Sequence, residues 1–402
     1  ANTSRISKEN TMSVPSSSIP TSLAMARSPI YVTGKNNAVA TDSLDSMDLD
    51  IKVWAVTEPA TNNYELSKPY SVDEVINFNI GKLIGSEFVK DFSNYNTTAI
   101  AASASGEVLN NKVSGSWTYS DAGAAPTTAP WSTGTEFFAT KGWREFGVTA
   151  EHTGVAMATT RKRLIGTATS ESLAIYFDTA STAVTFGILW SDGQTEEVSI
   201  QTDSGISPSS TTASDKVLYL PAGVNNLNAY TGFTSAVRPS SNTTLTNYTL
   251  FIKNSGGTKI WEVEYEITCE PKFTPYQVAF VNRYGVADYI TLFKRSQETA
   301  NFTGASYQKA VYQDGFTTTD EGKYQAYNVN SRNGWILNTG WVGEDYADVI
   351  EDVLMSESVA MLLGSTWIDV VPQRGSVAYQ TGLNDKVINY SLNLSLSHDE
   401  RS

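Results

Sequence analysis

The sequence predicts a mainly β protein of two or three sandwich-like domains, of which the C-terminal one is α+β with a single amphipathic helix. Over most of the chain apolar residues alternate with polar ones, which is the two-residue period of a half-buried strand. Only 17% of the 402 residues are charged, against roughly 25% in typical soluble proteins, and Ser, Thr, Asn and Tyr are abundant instead. Turn pairs such as Asp192-Gly193 separate the apolar runs, as they do in β-hairpins.

The length of the chain exceeds what one hydrophobic core usually organises, so several domains are expected. Composition predicts four segments: an extended N-terminal arm over 1–26, a β domain over 27–142 with a long loop at about 95–135, a central β-sandwich over 143–270, and an α+β module over 271–402. The arm is rich in Ser, Thr, Asn and Pro and cannot repay the entropy of ordering by itself. We expect it to lie either on a neighbouring subunit or back on its own domain.

Periodicity locates the individual elements. Strands are predicted over 49–55, 75–80, 175–177, 185–190, 196–200, 248–253, 259–268, 276–280, 290–292 and 388–396. A short helix is predicted from Leu83 to Phe92, where apolar residues are one and four positions apart. The principal helix is predicted from Tyr346 to Leu354, because apolar residues recur there at spacings of three and four.

Residue types give little support to catalysis. His152 and His398 are the only histidines, and Cys269 is the only cysteine. A metal site with two histidine ligands would need both histidines, while an intrachain disulfide or a thiolate metal cluster is excluded. Cys269 is expected to pack in a core. We therefore predict that the chain is not an enzyme and uses no cofactor. A hydrolase that relies on carboxylates alone is the weakest alternative.

Three charged clusters are expected to face water. They are the helix carboxylates (Asp345, Asp348, Glu351 and Asp352), the basic run over 161–163, and an acidic stripe of Glu262, Glu264 and Glu266 along one predicted strand. The stripe is interpreted as an exposed sheet face that charge protects from edge pairing. Binding of a cation or a basic partner is the alternative interpretation of that stripe.

One acidic run suggests a metal ion. Asp42, Asp45, Asp48 and Asp50 place oxygen atoms at close intervals, as calcium sites do. The run lacks the glycine turn and the spacing of known calcium loops. A plain acidic loop and a weak calcium site therefore both remain open.

Charge also limits the partners. A net charge of −14 disfavours direct contact with nucleic acid or anionic membranes, because neutralising phosphates takes clustered Lys and Arg. No run of about 18 apolar residues occurs, so no membrane span is expected. The N-terminus shows no signal-peptide pattern, and we expect synthesis in a cytoplasm.

Aromatic residues and one strand face indicate contacts with other molecules. The chain has 9 Trp, 20 Tyr and 15 Phe, residues that are enriched in protein interfaces and can stack on sugars. Trp117, Tyr119 and Trp131 fall in the predicted loop, where core packing is less expected, so they are candidates for anchoring a subunit or a host glycan. Asn389, Ser391 and Asn393 form the uncharged polar face of the last predicted strand, which suits a subunit contact.

Several short motifs, in their order and spacing, resemble virion structural proteins of tailed double-stranded DNA bacteriophages. They are 27–29 (RSP), the strand and short helix over 80–92, 275–280 followed by 282–285 (NRYG), 337–341 (LNTGW), 354–357 (LMSE) and 389–392 (NYSL). The similarity covers roughly half of the chain, mostly its C-terminal third.

The resemblance implies an oligomeric tail, neck or baseplate protein that acts through protein–protein contacts in the virion, assembled in the host cytoplasm. Its partners would be copies of itself and other virion proteins. The alternative is a tail module that binds glycans on the host surface.

Overall fold

A computed structural model of the chain describes residues 20–35, 42–69, 75–121, 127–145, 148–149, 151–179, 183–234, 246–268, 272–308, 324–343, 346–375 and 388–398. Strands account for 53% of the residues and helices for 11%, which confirms the mainly β class predicted from the sequence. Among the described residues, no helix is long and apolar enough to cross a lipid bilayer.

The N-terminal part is built on a six-stranded and a two-stranded sheet. Its elements are β1 (Leu23–Met25), β2 (Tyr31–Lys35), β3 (Asp42–Trp54), β4 (Tyr64–Pro69), β5 (Val75–Asn79), α1 (Gly81–Gly85), β6 (Ala101–Ala102), β7 (Val108–Asp121), β8 (Thr127–Thr140) and β9 (Glu151–His152). The larger sheet has the order β4-β3-β7-β8-β1-β9, and β2 pairs with β5. Met47, Leu49 and Ile51 alternate along β3 and are fully buried, in one core with Phe78 of β5 and Ile84 of α1.

The central part is a β-sandwich. Its elements are β10 (Lys162–Gly166), β11 (Ser172–Tyr176), β12 (Ala183–Trp190), β13 (Thr195–Ser199), α2 (Ile200–Ser204), β14 (Val217–Pro221), α3 (Val224–Ala229), β15 (Asn247–Asn254) and β16 (Lys259–Thr268). A five-stranded sheet, β10-β16-β15-β12-β13, shares one core with a three-stranded sheet, β11-β14-β6. The predicted hairpins are present as β12–β13 and β15–β16.

The C-terminal part places one helix on a seven-stranded sheet. Its elements are β17 (Tyr276–Val281), β18 (Ala287–Leu292), β19 (Gln297–Gln308), β20 (Tyr324–Val342), α4 (Tyr346–Met355), β21 (Val359–Leu363), β22 (Thr366–Pro372) and β23 (Ile388–Leu396). The sheet order is β18-β17-β21-β22-β23-β20-β19. Val349, Ile350 and Val353 of α4 join Phe280 and Leu392 in one core, so the helix and the last strand predicted from periodicity are both confirmed.

A further cluster joins the three parts. Leu23 of β1, Tyr219 of β14 and Tyr289 of β18 are buried together, with Trp367 of β22 packed beside them. We call this region the junction. Because it draws side chains from every part of the chain, the three parts are held by apolar burial as well as by backbone connections.

The described end of the N-terminal arm lies against its own chain. β1 pairs with β8 in parallel and with β9 in antiparallel orientation, and Leu23, Ala24 and Met25 are fully buried. For residues 20–26 this agrees with an arm that returns to its own domain. Residues 1–19 lie outside the described part of the chain.

The prediction of a long loop at about 95–135 is wrong. Most of that stretch forms β7 and β8, which pair with each other, while β7 also pairs with β3. Small residues concealed the strand pattern, and the register shifts around Gly115 break the alternation that would have revealed it. The short helix predicted to reach Phe92 is also too long, because α1 ends at Gly85 and Phe92 packs in the junction from the chain beyond it.

Candidate functional site

The hairpin β19–β20 stands apart from the rest of the described chain in its exposure. Its strands are paired from Gln297 opposite Ile336 to Gln308 opposite Tyr324, with one register shift between these ends. Every residue over 300–308 and 324–329 is exposed, so neither face of this two-stranded ribbon is covered. We call these two segments the exposed hairpin. Residues 309–323, between them, lie outside the described part.

Large apolar side chains occur on both faces of the exposed hairpin. The register places Tyr307 and Tyr327 on one face, where their rings meet edge to face with centroids 5.8 Å apart. The same register places Phe302 and Tyr324 on the other face, and these side chains are 71% and 69% exposed. A ribbon that shows aromatic side chains to water on both sides has surface suited to a partner on each side.

A bulge shapes this hairpin. The register shifts between Thr303 and Ala305, where β20 contains one residue more than β19. Asn328 lies in the bulge with φ of 50°, the one positive φ at a non-glycine position among the described residues. Asn tolerates this left-handed conformation better than other residues with side chains. Bulges of this kind bend a ribbon and increase its twist.

The exposed hairpin contains no charged residue. Its two segments read ANFTGASYQ and YQAYNV, whereas the whole chain carries a net charge of −14. Natural proteins commonly protect exposed strand edges with charge. The acidic stripe of β16 is an exposed sheet face as predicted, since Glu262 and Glu266 are exposed while Val263 and Tyr265 are buried. Its predicted role in protecting an edge is wrong, because β16 is paired on both sides, with β10 and β15. The exposed hairpin lacks this protection by charge.

The seven-stranded sheet continues this uncharged surface onto the body of the protein. Paired residues of neighbouring strands share a face, so the register from β17 to β19 identifies the side chains on the face opposite α4. One half of that face is covered by the junction, through Ala279, Tyr289, Ala360 and Trp367. Two charged residues also lie on this face: Asp369 of β22, which is paired with Lys90 at 2.6 Å, and Arg332 of β20. The rest of the other half presents Ile336, Asn338, Trp341, Val371, Asn389, Ser391, Asn393 and Ser395. We call these eight residues the open half-face.

The open half-face includes three residues predicted as interface candidates. Asn389, Ser391 and Asn393 are exposed along β23, while Tyr390, Leu392 and Leu394 between them are buried. Their role in a subunit contact stays a prediction. None of the eight side chains of the open half-face is charged.

Trp341 is the largest side chain of the open half-face and is 73% exposed. A register shift between Asn338 and Trp341 precedes it, with Gly340 at φ of 76°. The hydroxyl of Thr339 donates to the carbonyl of Tyr390 and accepts from the Tyr390 amide, which fixes the irregular backbone to β23. A bulge that redirects a side chain beside a regular strand is typical of functional surfaces.

The other predicted interface residues fall in the N-terminal sheet. The backbones of Trp117 and Tyr119 belong to β7 and that of Trp131 to β8, so their predicted position in a loop is wrong. Their side chains lie outside the described part of the chain, and their role in an interface stays a prediction.

The predicted calcium ligands lie along β3, which is a strand where an acidic loop was the alternative. Asp48 and Asp50 are on the half-exposed side, and burial, followed by the charges of Glu65 and Asp48, raises the pKa of Asp50. The side chains of Asp42 and Asp45 lie outside the described part. Within that part, no group of three or more His, Cys, Asp or Glu residues could hold a metal ion.

The basic run over 161–163 is not a solvated loop throughout. Arg163 is buried in β10, where its guanidinium donates to Glu171 at 2.5 Å and to Asp288 at 2.6 Å. Burial alone would lower the pKa of Arg163, but these two carboxylates hold it well above its ordinary value. The Tyr265 hydroxyl also donates to Glu171. Strand alternation turns Arg163 inward, which the count of basic residues in a run does not reveal.

The prediction that all helix carboxylates face water is wrong for Asp352, whose side chain is 0% exposed. It accepts hydrogen bonds from the Thr159 hydroxyl at 2.5 Å and from Nε of Arg283 at 3.0 Å. Burial raises the pKa of Asp352 to about 6. Thr159 belongs to the central part of the chain, so this carboxylate connects α4 to a neighbouring module. Asp348 is exposed as expected.

A cleft of about 260 Å³ lies where the central sheet meets the start of α4. Its lining includes Lys162, Glu264, Glu266, Trp341 and Tyr346, and Lys162 pairs with Glu264 at 3.3 Å. The cleft therefore combines carboxylates with aromatic residues, the groups that proteins use to hold sugars.

Neither a scan against protein-family models nor a search of curated proteins finds a match for this chain.

The exposed hairpin and Trp341 were missed as candidate surfaces in the sequence. The signal for the hairpin is present over 299–308 and 324–331, where 18 residues contain aromatic side chains but no charge. The signal for Trp341 is the preceding Gly340, because a glycine inside a strand pattern indicates a bulge.

Proposed function

We propose that this chain is an oligomeric structural component of a tailed-bacteriophage virion, in the tail, neck or baseplate, and that it acts through contacts with copies of itself and with other virion proteins. The exposed hairpin carries this proposal, because it is a two-stranded ribbon with uncovered aromatic side chains on both faces. The resemblance of the C-terminal motifs to virion structural proteins supports the particular setting.

Energetics favour a partner for the hairpin. An isolated two-stranded hairpin is marginally stable at best in water. Covering a large apolar side chain contributes roughly 1.5–3 kcal/mol, and the hairpin exposes Phe302, Tyr307, Tyr324, Tyr327 and Val329. The gross gain from covering them is on the order of 10 kcal/mol, which exceeds the lower estimates of the cost of association.

The charged groups of the interior favour a structural role over a catalytic one. Arg163 donates to both Glu171 and Asp288, and Asp352 is held by Thr159 and Arg283. Two of these interactions, Arg163 with Asp288 and Asp352 with Thr159, connect the central and C-terminal parts of the chain. Their geometry is that of interactions that hold the fold together, and we assign no catalytic role to these residues.

Sedimentation velocity over a range of concentrations tests the proposal. The wild-type chain is expected to form oligomers as concentration rises, and the double variant Phe302→Asp/Tyr327→Asp is expected to dissociate at least about tenfold more readily, because two charges would be desolvated in the contact. Val56→Asp is the matched control, since Val56 is 76% exposed elsewhere and its substitution leaves assembly unchanged. A wild-type chain that stays monomeric throughout contradicts the proposal.

The virion setting needs its own test. Antibodies raised against the chain should label one axial structure of purified particles in electron micrographs. Particles that contain no such chain by mass spectrometry would remove the virion from the proposal and leave only the self-association.

The cleft beside Trp341 supports a second candidate function, the binding of host-surface glycans. A glycan array probed with the wild-type chain tests it, with Trp341→Ala and Glu266→Gln as the variants and Val56→Asp as the control. Binding that both variants lose would favour a glycan-binding module, whereas an array without signal favours the structural role alone.

A further inference from the structure

We infer that the partner of the exposed hairpin is a second copy of this chain, and that the hairpin of one copy lies across the open half-face of the other. This inference rests on the proposed function and adds the identity and the location of the contact. It uses the hairpin face that carries Tyr307 and Tyr327.

The two halves of one sheet face show what is missing from the single chain. On β17, β18 and β21, the face opposite α4 is covered by the junction, in which Ala279, Tyr289 and Ala360 are almost fully buried. On β23, β20 and the Val371 end of β22 the same face is open, and Val371 and Trp341 are 45% and 73% exposed. A sheet face that is covered over half its width by protein is completed most simply by protein over the other half.

Charge selects a copy of the same chain as the occupant. At a net charge of −14, two copies repel each other over most of their surfaces. The exposed hairpin contains no charged side chain. The charged residues that share the sheet face of the open half-face are Asp369, which is paired with Lys90, and Arg332, which is positive. These two surfaces are therefore places where copies can approach without bringing like charges together. The acidic stripe of β16 adjoins the open half-face, because Glu264 and Glu266 line one cleft with Trp341, so a basic partner is the alternative occupant that the test must distinguish.

The dimensions of the two surfaces agree. Nine residues of β19 extend about 30 Å at roughly 3.3 Å per residue, and two strands with their side chains are about 10 Å wide. The open half-face covers three strands, about 14 Å across, and seven residues of β23, about 23 Å along. One hairpin therefore covers most of the half-face, and packing at about 10 Å between sheets is ordinary for β-sandwiches.

The chemistry of the two surfaces also agrees. Trp341, Ile336 and Val371 offer apolar anchors to the tyrosine rings, while the amide and hydroxyl groups along β23 can pair with tyrosine hydroxyls and with the amide of Gln325. The contact area is a few hundred Å² per copy, below the roughly 800 Å² of a standard interface, so a single contact is weak. Repeated contacts in a closed oligomer would supply the remaining stability.

Site-directed disulfide formation between two distinguishable proteins tests this geometry. Both carry Cys269→Ser, which removes the only native cysteine. One carries Ala305→Cys on the Tyr307 face of the hairpin, and the other, with a tag that changes its mass, carries Ser391→Cys at the centre of the open half-face. After mild oxidation, the mixed disulfide is expected to exceed that formed between Ala305→Cys and Val56→Cys by at least about tenfold, since contact raises the effective concentration of the thiols. Val56, which is 76% exposed in the N-terminal part, provides the control position.

The outcomes separate this inference from the proposed function. If Ala305→Cys proteins link mainly to one another, the hairpins pair together and the open half-face is not the acceptor, although self-association stands. Equal yields with Ser391→Cys and Val56→Cys overturn the inference in the same way. As a second measurement without cysteines, Ser391→Asp should weaken the self-association of an otherwise wild-type chain as strongly as the hairpin variants do, and an unchanged association overturns the inference. A wild-type chain that never associates defeats the proposed function itself.

Discussion

The junction and the exposed hairpin both reverse the usual placement of residues in a protein: the junction buries charged side chains, and the hairpin exposes aromatic ones. At the junction the buried Arg163 lies within hydrogen-bonding distance of two buried carboxylates, Glu171 and Asp288. In the hairpin, Phe302 and Tyr324 are exposed on a ribbon without any charge. Water normally receives the charges, and the core receives the aromatic rings.

This contrast separates two physical requirements, a fixed arrangement of the modules and available surface for a partner. Buried ion pairs add little net stability, but breaking one is costly, so they favour one arrangement of the modules over others. The uncharged ribbon contributes little to the fold of the single chain and keeps apolar surface available for another molecule. The comparison therefore predicts that changes at the junction affect stability and changes in the hairpin affect association.

The largest effect is expected from Arg163→Met. This change leaves Glu171 and Asp288 buried without their shared cation, which should lower the free energy of unfolding by about 3–5 kcal/mol. Chemical denaturation followed by tryptophan fluorescence measures it. Lys162→Met, at a neighbouring residue whose side chain is 67% exposed, serves as the control and should change stability by no more than about 0.5 kcal/mol. Equal stability of the two variants would mean that the buried triad does not fasten the modules.

Much of the fold could be predicted from the sequence where one face of an element is buried. β23, the β15–β16 hairpin and α4 were located because burial on one side imposes a period on the sequence. β7 and β8 were missed because small residues and register shifts obscure that period. The partners of a strand depend on residues far away in the chain, so the order of the seven-stranded sheet could not be predicted from local patterns.

The candidate site was only partly predictable for the same reason. Asn389, Ser391 and Asn393 were found because an uncharged face alternates with an apolar one. The exposed hairpin has no buried face, so its sequence lacks the pattern that indicates a strand in a core. The inward direction of Arg163 and Asp352 depends on tertiary partners, Asp288 and Arg283, which lie about 70 or more positions away in sequence.

The second prediction is a loss of folding stability with rising pH, and its source is again a residue at the junction. Glu107 is buried there, where it accepts from the Tyr219 hydroxyl at 3.2 Å, and burial raises its pKa to about 8. Because the folded-state pKa lies above the unfolded value of 4.5, folding favours the protonated acid, and this stability is lost as pH rises towards 8. Between about pH 6 and pH 9, Glu107 should therefore reduce the free energy of unfolding by about 3 kcal/mol.

Glu107→Gln tests this assignment because the amide does not ionise. The variant should lose much less stability than the wild type between those two pH values in parallel denaturation curves. Self-association should show little change over the same range, since the exposed hairpin contains no group that titrates near neutrality. Identical pH profiles of the two proteins would show that another group causes the loss.

A smaller effect is expected from salt. If copies meet through uncharged surfaces while their remaining negative charge repels, raising the ionic strength should strengthen association, by about 1 kcal/mol between roughly 0.05 and 0.5 M. Sedimentation equilibrium with sodium chloride measures this directly. Association that weakens as salt rises would indicate that charge pairs hold the contact, and it would shift attention to surfaces such as the acidic stripe of β16.

The smallest effect on the molecule as a whole is expected at the bulge of the hairpin, where the change is local. Asn328 has φ of 50°, which a β-branched residue adopts only at a cost of about 1–2 kcal/mol, whereas glycine adopts it freely. Asn328→Val should therefore increase amide hydrogen exchange along β19 and the first half of β20, and Asn328→Gly should leave it nearly unchanged. Neither variant should alter global unfolding, because the hairpin contributes little to the core. If Asn328→Val lowered the midpoint of global unfolding, the hairpin would belong to the cooperative unit of the single chain. The division between a junction that stabilises the fold and a hairpin that binds a partner would then not hold.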